Sequence, residues 1–338
     1  MGDGVVGGGP SPGPGPGPGP GPGPGPGGVE LSGLVDRLSS DVVGRRREIE
    51  VSVAAIAADR HIVIEGPPGT GKSTLLRAVA RELGIGFEFV EGNAELTPAR
   101  VVGHFDPARV LSEGYDPDVF VPGPLASALE NGSLLYIEEL NRVPEETLNV
   151  LITVMSEREI TVPRLGRLVA ADGFRLVAAM NPFDAVGTAR ISGAVSDRMC
   201  RIAVGYQSSD DEVSIVERVV PADGVDSAFV EKIVELVRAT RSHPDLRVGS
   251  SVRGAIDMAM VAASLGELRG SPADAGDVSL DSALVALSGR VRVREGCQQT
   301  PEEIITSLWR SIFGPSASSD GGDGEGKVIA PTGATTSP

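Results

Sequence analysis

The chain has 338 residues, 46 of them acidic and 30 basic, for a formal net charge of −16. An acidic surface is repelled by phosphate backbones, which argues against general nucleic-acid binding. The two cysteines (Cys200, Cys297) and three histidines (His61, His104, His243) have neither zinc-site nor thiol-redox spacing.

No apolar run reaches the roughly 18 residues that span a bilayer. The N terminus also lacks a basic-then-apolar leader pattern. The expectation is therefore a cytoplasmic protein with buried, reduced thiols.

Residues 7–28 are a Gly-Pro repeat with a period of two. Collagen needs Gly at every third position, so a triple helix is excluded. With almost nothing apolar to bury, residues 1–28 are expected to form an extended, solvated tail. The Ser/Gly/Asp/Thr-rich stretch 315–338 is expected to be disordered as well. The remainder is long enough for one large core and a smaller companion.

Residues 31–59 have helical spacing, interrupted at Val42-Val43-Gly44. The apolar run HIVIE (61–65) then leads into a Gly-rich turn and a helix over 72–84, with Leu75, Leu76, Val79 and Leu83 on one face. Further strands are predicted at 87–90, 133–137, 174–180 and 199–204, with a helix at 144–157. Strands alternating with helices predict a parallel sheet covered on both faces, a five-stranded αβα sandwich over 29–208. Beyond residue 209 the strand signals stop. Helical spacing at 226–242, 251–268, 279–290 and 300–313 predicts a small all-helical domain over 209–314, and Thr300-Pro301-Glu302-Glu303 reads as a capping box.

Gly66-Pro67-Pro68-Gly69-Thr70-Gly71-Lys72-Ser73, followed by Thr74, matches the Walker A pattern, and it lies between a strand and a helix as that motif requires. Such glycines let backbone N–H groups face inward around phosphates, at the positive end of a helix. Lys72 is expected to reach the β- and γ-phosphates of ATP, and Ser73 to ligate Mg²⁺. A P-loop also needs an acidic group on a neighbouring strand. In LLYIEE (134–139) the carboxylates of Glu138 and Glu139 emerge at a strand's C-terminal end, Glu138 toward the metal and Glu139 toward the attacking water.

Walker A followed by LLYIEELNRVPEETLNVLITVMSEREITV resembles the MoxR family of AAA+ ATPases over roughly residues 40–310. The family usually has Asp-Glu where this chain has Glu138-Glu139. The resemblance implies a sensor-1 role for Asn181, a helical-lid sensor-2 role for Arg253, and an adenine-contacting segment at Val43-Gly44. It also implies that Arg198 reaches a neighbouring subunit's ATP, with Arg190 and Arg142 as alternatives. Residues 100–125 and 159–173 fall where family members carry hairpins that line a pore or meet a partner.

The resemblance further implies a ring homo-oligomer, six subunits being the expectation. The expected partners are a protein with a von Willebrand factor A domain and a client that the ring remodels or matures. ATP-Mg²⁺ is expected between sheet domain and lid. Two other classes stay open: a nucleic-acid motor or GTP-using restriction subunit on the same P-loop core, and a nucleotide-gated scaffold with slow turnover.

Overall fold

The computed structural model describes residues 31–182, 192–221 and 225–314. The two tails and Arg190 lie outside the described residues. The chain divides into two units: one ends at Ala222 and also takes in Ser251–Asp257, and the other comprises Asp223–Ser250 and continues from Met258.

The first unit is built on five parallel strands, β1 (His61–Glu65), β2 (Phe87–Glu91), β3 (Leu134–Glu138), β4 (Arg175–Met180) and β5 (Met199–Ala203), in the order β2-β3-β4-β1-β5. The three central strands β1, β3 and β4 are short apolar runs, as strands buried on both faces must be, whereas the edge strands β2 and β5 carry exposed residues such as Glu91 and Arg201. In β1, Ile62 lies opposite Val177 of β4 on one side and Cys200 of β5 on the other.

Alternation along each strand separates two cores. Ile62, Ile64, Leu134, Tyr136, Val177 and Ala179 pack with apolar residues of helices Leu31–Asp41, Arg46–Ala57 and Lys72–Leu83. Val63, Leu135, Ile137, Leu176 and Ala178 face the other way, against helices Pro124–Asn131 and Glu145–Glu157. Burying each such Leu or Ile contributes about 1.5–3 kcal/mol, so both faces of the sheet are fixed by packing.

Two insertions leave this sandwich. Within 100–125, strand Gly103–Phe105 pairs antiparallel with Phe120–Pro122 and encloses the helix Pro107–Glu113. The Asp106 side chain accepts from the Ala108 amide and Pro107 opens that helix, so the segment is more than a tight hairpin. Residues Glu159–Val162 and Gly166–Val169 form the second pair, a true hairpin. The Arg164 guanidinium at its turn sits 3.9 Å over the Tyr115 ring and so joins the two insertions.

The second unit is mainly helical, with Phe229, Ile233, Leu236 and Val237 buried along the helix Ser227–Ser242. Thr300 and Glu303 form the expected capping box of Pro301–Phe313. The single tryptophan, Trp309, stacks on Phe313 at 5.7 Å and donates to Ser279 Oγ. In one detail the unit departs from the all-helical expectation: Leu246–Val248 pairs antiparallel with Arg292–Val293. Strands of three and two residues are too short to show alternation in a sequence. Among the described residues, no helix is long and apolar enough to cross a membrane.

His61 opens β1, and its Nδ1 accepts the Leu176 amide at 2.9 Å. Burial chiefly, with Arg158 and Arg60 nearby, pushes the imidazole down to about 4 from an ordinary 6.5. Between those values the unfolded chain binds the proton and the folded chain does not, so stability is lost as pH falls. Denaturation midpoints at pH 7 and pH 5 should show this loss, at most about 1.4 kcal/mol per pH unit from the one proton. His61→Asn keeps an acceptor without a titratable ring and should reduce the loss.

Candidate functional site

The Gly-rich loop leaves the C-terminal end of β1 and enters the helix Lys72–Leu83. Gly66 donates its N–H to Met180 O at the end of β4. A Cβ on Gly66 would stand 2.2 Å from Val204 O, so this turn admits no side chain. Gly69 (φ 72°) and Gly71 (φ 79°) adopt the left-handed region that glycine enters without steric penalty. A Cβ on Gly71 would meet nothing within 4 Å, so open space lies in front of the loop there.

Lys72 Nζ folds over this loop and donates to Gly66 O at 3.0 Å and Pro67 O at 2.8 Å. Burial pushes the ammonium down to about 8; Glu138 and Glu139 oppose the shift, while Arg253 and Arg45 add to it. Thr70 is buried and donates to Pro67 O, closing the loop from inside. Thr74 is exposed on the outer side of the helix.

Across the site, Ser73 Oγ donates to Glu138 Oε1 at 2.9 Å, so the longer carboxylate of Glu138 reaches the P-loop serine directly. Glu139 adopts φ 54°, ψ 45°, a left-handed conformation that costs a non-glycine residue about 1–2 kcal/mol. Its carboxylate pairs with Arg142 Nη1 of the same chain at 3.1 Å. Gly92 allows this turn, since a Cβ there would fall 2.5 Å from Glu139 O.

Asn181 follows β4 and so stands in sequence at the strand between the loop and the two acids. Arg253 belongs with the first unit, and its Cδ would lie 3.7 Å from a Cβ placed on Gly69. Arg198 is exposed and anchored locally, with Nε to Ser156 Oγ at 2.6 Å and Nη1 to Ala194 O at 2.9 Å. Gly44 (φ 67°) packs against the Asp211 carboxyl, and Val43 beside it is half-buried.

Two residues the sequence reading passed over belong to this group. Arg45 is 4% exposed and its Nη2 bonds both Thr70 O (3.1 Å) and Gly205 O (2.6 Å), tying the P-loop to the segment after β5. Burial lowers its pKa, against the opposing charges of Glu48, Asp211 and Glu212. Its only sequence signal is its place one residue after Gly44.

The second is Tyr136, fully buried, whose hydroxyl lies 3.1 Å from Ser73 Oγ. Burial, opposed by that hydrogen bond, pushes the phenol up to about 12, so it stays protonated. The signal was the period of two, which places Tyr136 on the same face of β3 as Glu138.

The donor set fits a nucleotide with a hard divalent cation. An ammonium and a helix N-terminus border open space at Gly71, and a hydroxyl and a carboxylate oxygen lie together, as Mg²⁺ requires. Among the described residues, no group of three or more His, Cys, Asp or Glu side chains could hold a metal by itself.

Residues 61–199 match the model of the AAA domain of the dynein-related subfamily. YeaC of Bacillus subtilis is 28% identical over 252 residues, 67% of this chain and 75% of its own length. MoxR of Methylorubrum extorquens is 32% identical over 174 residues, 52% of this chain and 48% of MoxR. Among solved structures, RuvB of Thermotoga maritima aligns with a TM-score of 0.49 at 19% identity, covering 71% of this chain and 68% of that chain. Residues 61–199 thus carry the features of an AAA domain. Over about half of its length the chain is also similar to MoxR.

Lys72 gives the loop a measurable pH dependence. As pH rises from about 8 toward the ordinary 10.5, the unfolded chain holds a proton that the folded one releases. The ligand-free protein should therefore gain stability relative to Lys72→Met across this window. Nucleotide affinity should fall over the same range as the cation is lost. Thermal melting with and without ATP from pH 7 to 10 checks both.

Proposed function

We propose that this chain hydrolyses ATP with Mg²⁺ and uses the cycle to remodel a partner protein from within a ring of identical subunits. The observation that carries the reading is the contact of Ser73 with Glu138, with Lys72 on one side and Glu139 on the other. Ser73 and Glu138 would hold Mg²⁺, which neutralises phosphate charge when bound. Lys72 and the loop amides orient the phosphates. Glu139, with Asn181, polarises and positions the attacking water.

Arg253 lies beside Gly69, and this proximity supports a role in sensing the phosphates in the same subunit. Arg198 is the candidate to act in trans, with Arg190 and Arg142 as alternatives; Arg142 pairs with Glu139 of its own chain. The exposure of Arg198 and its place just before β5 support that role. An arginine delivered to a neighbouring γ-phosphate offsets the charge that develops in phosphoryl transfer, worth about 10³–10⁵ in rate in other nucleotide hydrolases. A von Willebrand factor A protein and a client enzyme are the partners this reading expects, and the acidic net charge favours it over a nucleic-acid motor.

Phosphate release and nucleotide binding test the proposal together. Glu139→Gln should retain ATP binding and lose at least about 100-fold in turnover, whereas Lys72→Ala should weaken binding itself. Glu139→Gln and Arg198→Ala proteins, each nearly inactive, should recover activity when mixed, because some interfaces then pair intact groups from two subunits. Parent-level hydrolysis by Glu139→Gln would refute the catalytic assignment. Failure to rescue on mixing would make Arg198 a structural residue.

A further inference from the structure

We infer that Tyr136 is a positioning residue for the metal-ligating hydroxyl of Ser73, and that it sets how much Mg²⁺ the nucleotide site requires. The inference rests on the Mg²⁺-nucleotide reading above and assigns a new part to it. Ser73 has a single hydroxyl proton, and that proton goes to Glu138 Oε1 at 2.9 Å. The 3.1 Å contact between Ser73 Oγ and Tyr136 Oη must then run from the phenol to the serine, for no other proton lies between the two oxygens. Tyr136 thus donates, Ser73 accepts and donates onward, and Glu138 terminates the chain.

This arrangement has a directional consequence. A serine hydroxyl rotates freely unless its proton and one lone pair are both engaged. Here both are, so the remaining lone pair of Ser73 has one orientation in which to meet a cation. The phenol is held by its surroundings. Its ring is buried and packed against Phe87 at 5.6 Å and Phe89 at 5.8 Å between centroids. Tyr136 and Glu138 leave the same strand two residues apart, so a single element aims both groups at Ser73.

The arrangement suits the longer acid of this chain. A glutamate carries one more rotatable bond than an aspartate, and its carboxylate is held less firmly by its own backbone. A Ser73 hydroxyl fixed from the opposite side by Tyr136 restores a defined partner for that carboxylate. Tyr136 touches neither nucleotide nor metal in this scheme and acts through Ser73 alone.

The test is equilibrium binding of a slowly hydrolysed ATP analogue to the full chain, with Mg²⁺ titrated from an EDTA baseline. Tyr136→Phe keeps the ring and its packing and removes one oxygen. Binding in EDTA should match the parent, while the Mg²⁺ concentration for half-maximal enhancement should rise about three- to tenfold, the worth of one neutral hydrogen bond. In a Ser73→Ala background, Tyr136→Phe should add no further shift, since its effect passes through the hydroxyl already removed.

An unchanged Mg²⁺ requirement in Tyr136→Phe would overturn the inference. So would additive shifts in the double variant, or an equal loss of binding in EDTA, which would mark the phenol as a packing group of the loop. If the parent shows no Mg²⁺-enhanced binding, the proposed function fails and this inference falls with it.

Discussion

Strand β4 lies between β1 and β3, and that one insertion in the sheet order governs the site. Neighbouring strands stand about 4.8 Å apart, so the ends of β1 and β3 are separated by roughly 10 Å. The loop after β1 turns back across this gap, and the first turn of helix Lys72–Leu83 brings Ser73 to Glu138. The end of β4 supports the span from below, through Met180 O and the Gly66 amide. Ligands of open parallel sheets settle in such crevices because the connections on either side diverge. A different strand order would leave the same residues with nothing to converge on.

Around this crevice the molecule concentrates polar groups in low-dielectric surroundings. Arg45 is buried with both Nη2 contacts directed at backbone carbonyls, so it works as a brace between loop and sheet. Burial pushes the Lys72 ammonium down to about 8, a local cost that Glu138 and Glu139 offset in part and Arg253 and Arg45 increase. The unfavourable backbone at Glu139 is another local cost, sustained by the close approach of Gly92.

Most of the architecture was legible because buried parallel strands leave a simple signature. The three central strands are apolar runs ending near a turn, and all five strands were placed within a residue or two. The P-loop and the paired acids were legible because their chemistry needs fixed residue types at fixed spacing. What escaped was the through-space part. Tyr136 looked like one more apolar residue of β3, and only the position of Ser73 across β4 gives its hydroxyl a purpose. Arg45 reads as one of three consecutive arginines, and nothing local distinguishes the buried one from its exposed neighbours. The helix enclosed by the first insertion and the short strand pair of the second unit fall below the length at which periodicity speaks. The pairing of Arg142 with Glu139 depends on the left-handed turn at Glu139, which no sequence pattern announced.

The placement of Trp309 has an optical consequence. The only indole of the chain lies in the second unit, stacked on Phe313 and hydrogen-bonded to Ser279. Emission excited at the red edge of the protein absorption band therefore comes from that unit alone, while far-ultraviolet circular dichroism averages over both. A melt followed by the two signals side by side separates the helical unit from the sheet without any label. Coincident curves would mean that the two halves unfold as one cooperative body.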